Sequence, residues 1–330
     1  MTKKIVFLGM GGTIAGTASS ALDNVGYKAA QLSVAQLLLD IPGMDMALDG
    51  HTLVSEQVAQ LNSKDMGWAH WSALALRASY YLALPDVAGL VITHGTDTLE
   101  ETAYFLSCVL PADLLALKPV VLTCAMRPAT SLAPDGPQNM RDAVVVTRAE
   151  AARGVLVVCA GTIHSARDVQ KVHPYRPDAF ASGDAGPLGF VEEGIVRWMH
   201  RCPENEPAGL FTATERLRDA VWPRVEIIMS YAGAVGATVR ALCSAPAGGA
   251  APVRGIVVAG TGNGTVHEDL EVALIEMQSQ GIQVIRASRC AFGRVVEGAS
   301  MTSGLPHSNG LPPLKARVAL MLELMMQDEI

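Results

Sequence analysis

Charge is scarce in this chain, at 17% of 330 residues, too little for a disordered polyelectrolyte. Positive charge is scarcer still. The 25 Lys and Arg stand against 32 Asp and Glu, a formal −7 with a pI near 5.6. That balance argues against nucleic acid or an anionic membrane as the main partner. No run approaches the ~18 apolar residues of a membrane span. Met1 is followed almost at once by an apolar strand pattern, so no cleavable leader is expected ahead of it, with a secreted form whose leader has been removed as the alternative. The six cysteines (Cys108, Cys124, Cys159, Cys202, Cys243 and Cys290) are scattered, with no CxxC pair and no Cys/His cluster at metal-binding spacing. Reduced thiols in a cytoplasmic protein without a metal centre are therefore expected. Gly-Lys-Ser/Thr is absent, which rules out a Walker phosphate loop.

What is present is apolar residues, 50% of the chain, in a length that suggests about two domains at ~100–200 residues each. Short apolar runs alternate with helical patterns in the first half. Ile5–Leu8, Leu90–Thr93, Val120–Thr123 and Val155–Cys159 read as strands; Val34–Leu39, Trp68–Tyr81, Leu99–Val109 and Asn139–Ala151 read as helices. The rhythm lapses between Glu192 and Val221, around Pro203-Glu204-Asn205-Glu206-Pro207, and then resumes. Strands are expected at Val225–Met229, Ile256–Ala259 and Ile282–Ile285, with helices near Ala234–Leu242, Asp269–Gln278 and Lys315–Met326. The predicted fold is α/β, with two domains, each a mostly parallel sheet flanked by helices, and a larger N-terminal domain. The boundaries fall at 1–191 for the first domain, 192–222 for a linker and 223–330 for the second.

Two segments carry chemistry. Thr93-His94-Gly95-Thr96-Asp97-Thr98 follows the apolar run Val87–Ile92 and leads into Leu99, Ala103, Leu106 and Leu110, spaced as on one helix face. Hydroxyls and a carboxylate thus gather at the carboxyl end of a strand, where open α/β sheets bind ligands. Thr98 and Glu101 have the spacing of a capping box. The second segment, Gly9-Met10-Gly11-Gly12-Thr13-Ile14-Ala15-Gly16, follows the first strand, and its Thr13 is a candidate nucleophile. As a dinucleotide fingerprint it fails, because Ile14 stands where the third glycine belongs.

These segments resemble the active-site motifs of bacterial-type L-asparaginases: Gly11-Gly12-Thr13-Ile14-Ala15-Gly16 the first, His94-Gly95-Thr96-Asp97-Thr98 the second. The resemblance continues in order through Glu100-Glu101-Thr102-Ala103-Tyr104-Phe105, Ala125-Met126-Arg127-Pro128, Asp135-Gly136-Pro137, Arg153-Gly154, Arg167-Asp168-Val169-Gln170-Lys171, Gly262-Asn263-Gly264 and Lys315-Ala316-Arg317. Met10 departs from the Thr of many members. The resemblance implies hydrolysis of L-asparagine to L-aspartate and ammonia through a threonine-bound acyl-enzyme, with no cofactor. It assigns Thr13 as nucleophile, Tyr27 to a loop that closes over the site, and Thr96, Asp97 and Lys171 to a second catalytic set. A desolvated Lys171 could lose its proton more easily and activate a hydroxyl or a water. Asp97 would also hold the substrate's α-amino group.

The same resemblance places backbone N–H groups near Gly12 and Thr96 at the oxyanion, Ser63 and Lys64 in the loop that binds the substrate carboxylate, and Asn263 beside the site from a neighbouring subunit. Glu297 is its candidate for a carboxylate from that subunit. Many relatives have Gln at the position of Lys64, which leaves the choice between asparagine and glutamine open. His94 is assigned a structural role rather than that of general base. A homotetramer, built as a dimer of dimers, is implied. Two other functions fit part of the pattern: the amidase subunit of a tRNA-dependent amidotransferase, and a non-catalytic ligand-binding protein built on the same glycine turn.

Overall fold

The computed structural model of the chain describes residues 2–39, 41–203, 214–244, 251–296 and 304–327. The chain divides into two compact units, Met1–Asp219 and Ala220–Ile330. In order, the first holds β1 (Lys4–Gly11), α1 (Val34–Leu37), α2 (Met44–Leu48), β2 (Thr52–Leu61), α3 (Trp68–Ala83), β3 (Val87–Thr93), α4 (Leu99–Val109), α5 (Ala112–Leu115) and β4 (Val120–Thr123). It continues through α6 (Gly136–Arg148), β5 (Val155–Cys159), β6 (Thr162–Ser165), β7 (Gln170–Lys171), β8 (Phe180–Ala181), β9 (Gly189–Glu192) and β10 (Ile195–Trp198).

Eight of these strands form one sheet in the order β10-β9-β6-β5-β4-β3-β1-β2. The five from β5 to β2 run parallel, and β6, β9 and β10 extend them antiparallel. Ile5, Val6, Phe7 and Leu8 are all fully buried, on both faces of β1. Helices cover both faces of such a sheet, which is why its strands read as unbroken apolar runs. Ile5 and Phe7 pack with Val144, Leu156 and α1–α2 residues on the face that α6 covers.

Strand β2 did not show in the sequence. It is an edge strand whose residues are half-buried or exposed, with Ser55, Glu56 and Gln57 interrupting the apolar pattern. The chain passes from β1 to β2 on one side, then crosses back to place β3 on the other. The reversal makes the gap beyond the carboxyl ends of β1 and β3 the topological switch point, where α/β sheets bind ligands. Both chemical segments end there.

The expected linker differs from what the structure shows at its start. Ile195–Trp198 forms β10, an antiparallel hairpin with β9 through a turn in which Glu193 and Gly194 both have positive φ (48° and 76°). Two positive-φ residues make the tight turn that suits strand twist, but Glu at the first of them is an unusual choice that hides the signal. The first unit then runs on to Asp219, with Leu217 buried and the Thr214 hydroxyl donating to Val109 O. Of the expected linker, residues 204–213 lie outside the described residues.

The second unit is a three-stranded parallel sheet, order β11-β12-β13, made by β11 (Arg224–Met229), β12 (Val253–Gly260) and β13 (Gln283–Ser288). Its helices are α7 (Ala237–Cys243), α8 (Glu268–Ser279) and α9 (Pro313–Gln327). Central β12 buries Ile256, Val257 and Val258 completely. Gly255 lets α9 settle onto that strand, since a Cβ there would sit 2.8 Å from Leu320 Cδ2.

All six cysteines are free thiols. Cys124 and Cys159 end neighbouring strands with their sulfurs 3.6 Å apart, and this hydrogen bond, together with burial, pushes the Cys124 thiol up from its ordinary pKa. Among the described residues no helix is long and apolar enough to cross a membrane.

Candidate active site

After β1 the backbone turns through Gly11 and Gly12, with φ of 88° and 84°. A short 3-10 turn, Thr13–Ala15, follows. No long helix starts there, so the turn has no helix dipole to offer a pyrophosphate. The glycines serve close packing instead. A Cβ on Gly12 would lie 2.3 Å from Gly95 Cα, and one on Gly95 would lie 2.4 Å from Ser63 Oγ. Three loops, from β1, β2 and β3, thus meet at Gly12, Ser63 and Gly95.

Ser63 ties the β2 and β3 loops together. Its Oγ accepts the Asp97 N–H at 3.2 Å, and its carbonyl accepts the Thr98 hydroxyl at 2.8 Å. That second bond replaces the capping box expected at Thr98: the Thr98 side chain makes no cap bond to α4. Ser63 is 2% exposed, and its Oγ, having accepted the Asp97 N–H, keeps its proton as a donor. Lys64 is exposed, with its ammonium 3.7 Å from Asp65.

Thr13 is 8% exposed and its Oγ1 lies 2.6 Å from the Tyr27 hydroxyl. Tyr27 comes from an excursion closed at its base by paired Thr17 and Lys28 backbones. The loop is also tied to the region after β4, through Ala18 N–H to Thr130 Oγ1 and Leu132 N–H to Ala21 O.

On the β3 side, Lys171 Nζ donates to Thr96 Oγ1 at 2.9 Å and to Asp97 Oδ1 at 2.7 Å. The Lys171 side chain is mostly buried, whereas that of Asp97 is about half exposed. Two residues far apart in sequence thus converge on the end of β3. The Gly12 N–H is taken by Leu61 O at 2.9 Å, so Gly12 itself has no amide to spare for an oxyanion. The N–H groups of Thr13 and Thr96 meet no acceptor among the described residues.

His94 is fully buried. Its Nδ1 lies 2.7 Å from Gly95 O, and its Nε2 lies 3.1 Å from Thr102 Oγ1, which also accepts the Trp71 indole N–H. A carbonyl can only accept and an indole can only donate, so the proton order is fixed. Nδ1 carries the hydrogen, and Thr102 donates to Nε2. Burial lowers the His94 pKa to about 4. A neutral ring with both nitrogens engaged orients the Gly95 carbonyl and has no proton role to spare.

Sequence reasoning gave no role to Glu100, Asp135 or Asn139. Glu100 is 6% exposed and accepts the Lys171 main-chain N–H. The Asp135 carboxylate accepts the N–H groups of Met126 and Arg127, both at 2.9 Å. Asn139 bridges the ends of β4 and β5, donating to Cys124 O and accepting from Ala160 N–H. Pro137 also explains why α6 starts at Gly136, earlier than expected: proline suits a first helical turn.

Asn263 belongs to the second unit. Between Gly262 and Gly264, both at positive φ, its side chain makes two 2.8 Å bonds to the Val296 backbone. It thereby fixes the chain just before Glu297. Glu297 itself lies outside the described residues. Among the described residues no cluster of His, Cys, Asp and Glu could hold a metal.

A threonine–tyrosine pair and a lysine–threonine–aspartate set thus lie at the switch point of an α/β sheet. Residues 4–204 match the family described as Asparaginase, N-terminal, and residues 224–330 match the Glutaminase/Asparaginase C-terminal domain. The chain is 36% identical to L-asparaginase 2 of Escherichia coli (strain K12), over 97% of this chain and 88% of that protein. It is also 36% identical to a glutaminase-asparaginase of Pseudomonas fluorescens biotype A, over 97% and 86%. A crystal structure of a probable cytoplasmic L-asparaginase from Campylobacter jejuni superposes with a TM-score of 0.86 at 35% identity, covering 98% of this chain and 95% of that one. The chain belongs to the asparaginase/glutaminase family of amidohydrolases.

Proposed function

We propose that the protein is an L-asparaginase that converts L-asparagine and water to L-aspartate and ammonia. The observation that carries the reading is the pairing of Thr13 with Tyr27, beside the Lys171–Thr96–Asp97 set. A threonine hydroxyl needs a partner to take its proton and donors for the developing oxyanion. Tyr27, 2.6 Å from Thr13 Oγ1, is the proposed partner for the first task. The N–H groups of Thr13, next to Gly12, and of Thr96 are the proposed donors for the second.

In the first step Thr13 Oγ1 bonds to the side-chain amide carbon, the C–N bond breaks, and ammonia leaves with the added proton. A β-aspartyl ester remains. In the second step water adds to the same carbon, the ester C–O bond breaks, and Thr13 regains its hydrogen. Lys171 donates to Thr96 Oγ1, so the Thr96 hydroxyl can turn its own proton toward the reacting atoms. Asp97 uses one oxygen on Lys171, and its exposure leaves the other for the substrate ammonium. The Ser63 loop, through the Ser63 hydroxyl proton and main-chain N–H groups, takes the α-carboxylate.

With both α-groups pinned, one more methylene displaces the amide carbon, and about 1 Å of misplacement costs on the order of 100-fold. Asparagine is therefore expected to exceed glutamine in kcat/KM. We also propose a homotetramer, a dimer of dimers, in which Asn263 and Glu297 of a neighbouring copy serve the site. Ammonia release from asparagine and from glutamine, measured over a concentration series with the purified chain alone, tests the activity. No release from either amide overturns it, and equal kcat/KM values overturn the preference. Light scattering of the same sample tests the assembly.

A further inference from the structure

Lys171 sits on β7, a strand of two residues whose ladder partner is β8. Four rotatable bonds separate its ammonium from its main chain. For Nζ to hold 2.9 Å to Thr96 and 2.7 Å to Asp97, the backbone at the root of the side chain must be held as well. Glu100 does this from the first turn of α4: its Oε2 accepts the Lys171 main-chain N–H. Glu100 is 6% exposed, and a carboxylate in that turn is favoured by the helix field. One short stretch after β3 therefore grips Lys171 twice, at the tip through Thr96 and Asp97 and at the root through Glu100.

We propose that Glu100 is a positioning residue that sets the reach of the Lys171 ammonium toward Thr96. The proposal rests on the asparaginase reading for its kinetic consequence, though not for the contact itself. Glu100 touches no reacting atom. What the Lys171 main chain takes from it is an acceptor oxygen at one fixed distance.

Three substitutions separate the acceptor from the charge. Glu100→Gln keeps an acceptor at the same reach without the charge. Glu100→Asp keeps the charge but withdraws it by one methylene, roughly 1.5 Å. Glu100→Ala removes both. Glu100→Gln is expected to keep kcat within about threefold of wild type. The Asp and Ala variants should lose about 10- to 100-fold in kcat, with KM changed by less than about threefold. In a Lys171→Met background, Glu100→Ala should cost less than about threefold more, because the group it positions is gone.

Hydrogen exchange of the Lys171 amide gives a readout independent of turnover. It should be unchanged in Glu100→Gln and faster in Glu100→Asp and Glu100→Ala. If Glu100→Ala does not fold, the Gln and Asp variants decide. An Asp variant better than Gln overturns the proposal, as does unchanged exchange in Asp or Ala, or a full multiplicative loss in the Lys171→Met background. A wild type that hydrolyses neither amide overturns the activity reading alone, and the exchange order then stands as the test of the contact.

Discussion

Gly12→Ala is the sharpest probe of how this site is built. The new Cβ would lie 2.3 Å from Gly95 Cα and 2.4 Å from Gly95 N, where ordinary carbon contacts begin near 3.5 Å. The β3 loop must therefore recoil by roughly 1 Å, carrying Thr96 away from Thr13, and a shift of that size costs on the order of 100-fold in rate. The backbone at Gly12, φ 84° and ψ −168°, adds about 1–3 kcal/mol of strain for any residue with a Cβ, and overpacking adds about 1–3 kcal/mol. The sum, roughly 2–6 kcal/mol, should lower Tm by about 2–4 °C per kcal/mol in a unit of this size.

Gly154→Ala is the control. It has φ 72° with nothing within 4 Å of the new Cβ, so it should cost about 1–2 kcal/mol and leave turnover intact. Ammonia release and thermal melts of both variants decide the matter. A folded Gly12→Ala protein with more than about a third of wild-type kcat/KM would refute the claim that this backbone contact sets the site.

Thr13→Ala should fold, since the hydroxyl it loses pairs only with Tyr27 among the described residues, and should lose several powers of ten in kcat; more than about a tenth of wild-type activity would remove Thr13 as nucleophile. Thr96→Val and Lys171→Met should each cripple turnover, and the double variant should be little worse than the worse single, because Lys171 acts through Thr96; losses that simply multiply would show two independent roles. The His94 pKa falls from 6.5 unfolded to about 4 folded, so between these values the unfolded state binds more protons and stability rises with pH. That contribution fades as pH falls below about 6.5 and is mostly gone at about 4. In urea melts at pH 7 and pH 4, wild type should lose about 3 kcal/mol more than His94→Gln between the two, and equal losses would count against burial as the cause of the shift.

The sequence by itself determined the architecture's rhythm and the two chemical turns. Ile5–Leu8, Val120–Thr123 and Val155–Cys159 are buried on both faces, so their apolar runs are local signals that no tertiary context needed to supply. The glycines around Thr13 and the hydroxyls after β3 were legible for a similar reason: a turn at a strand end dictates its own residue types. Strand β2 and the β9–β10 hairpin were not legible, because an edge strand needs no apolar alternation and its pairing depends on a neighbour elsewhere in the chain. Only the tertiary structure decided which polar groups are spent and which remain. Thr98 caps no helix because Ser63 claims its hydroxyl, and Gly12 offers no amide because Leu61 has taken it. Glu100 stands in the first turn of α4, yet it holds the backbone of Lys171. A hydrogen bond between residues 71 apart leaves no period and no motif in either segment, since it exists only where the fold brings the two together.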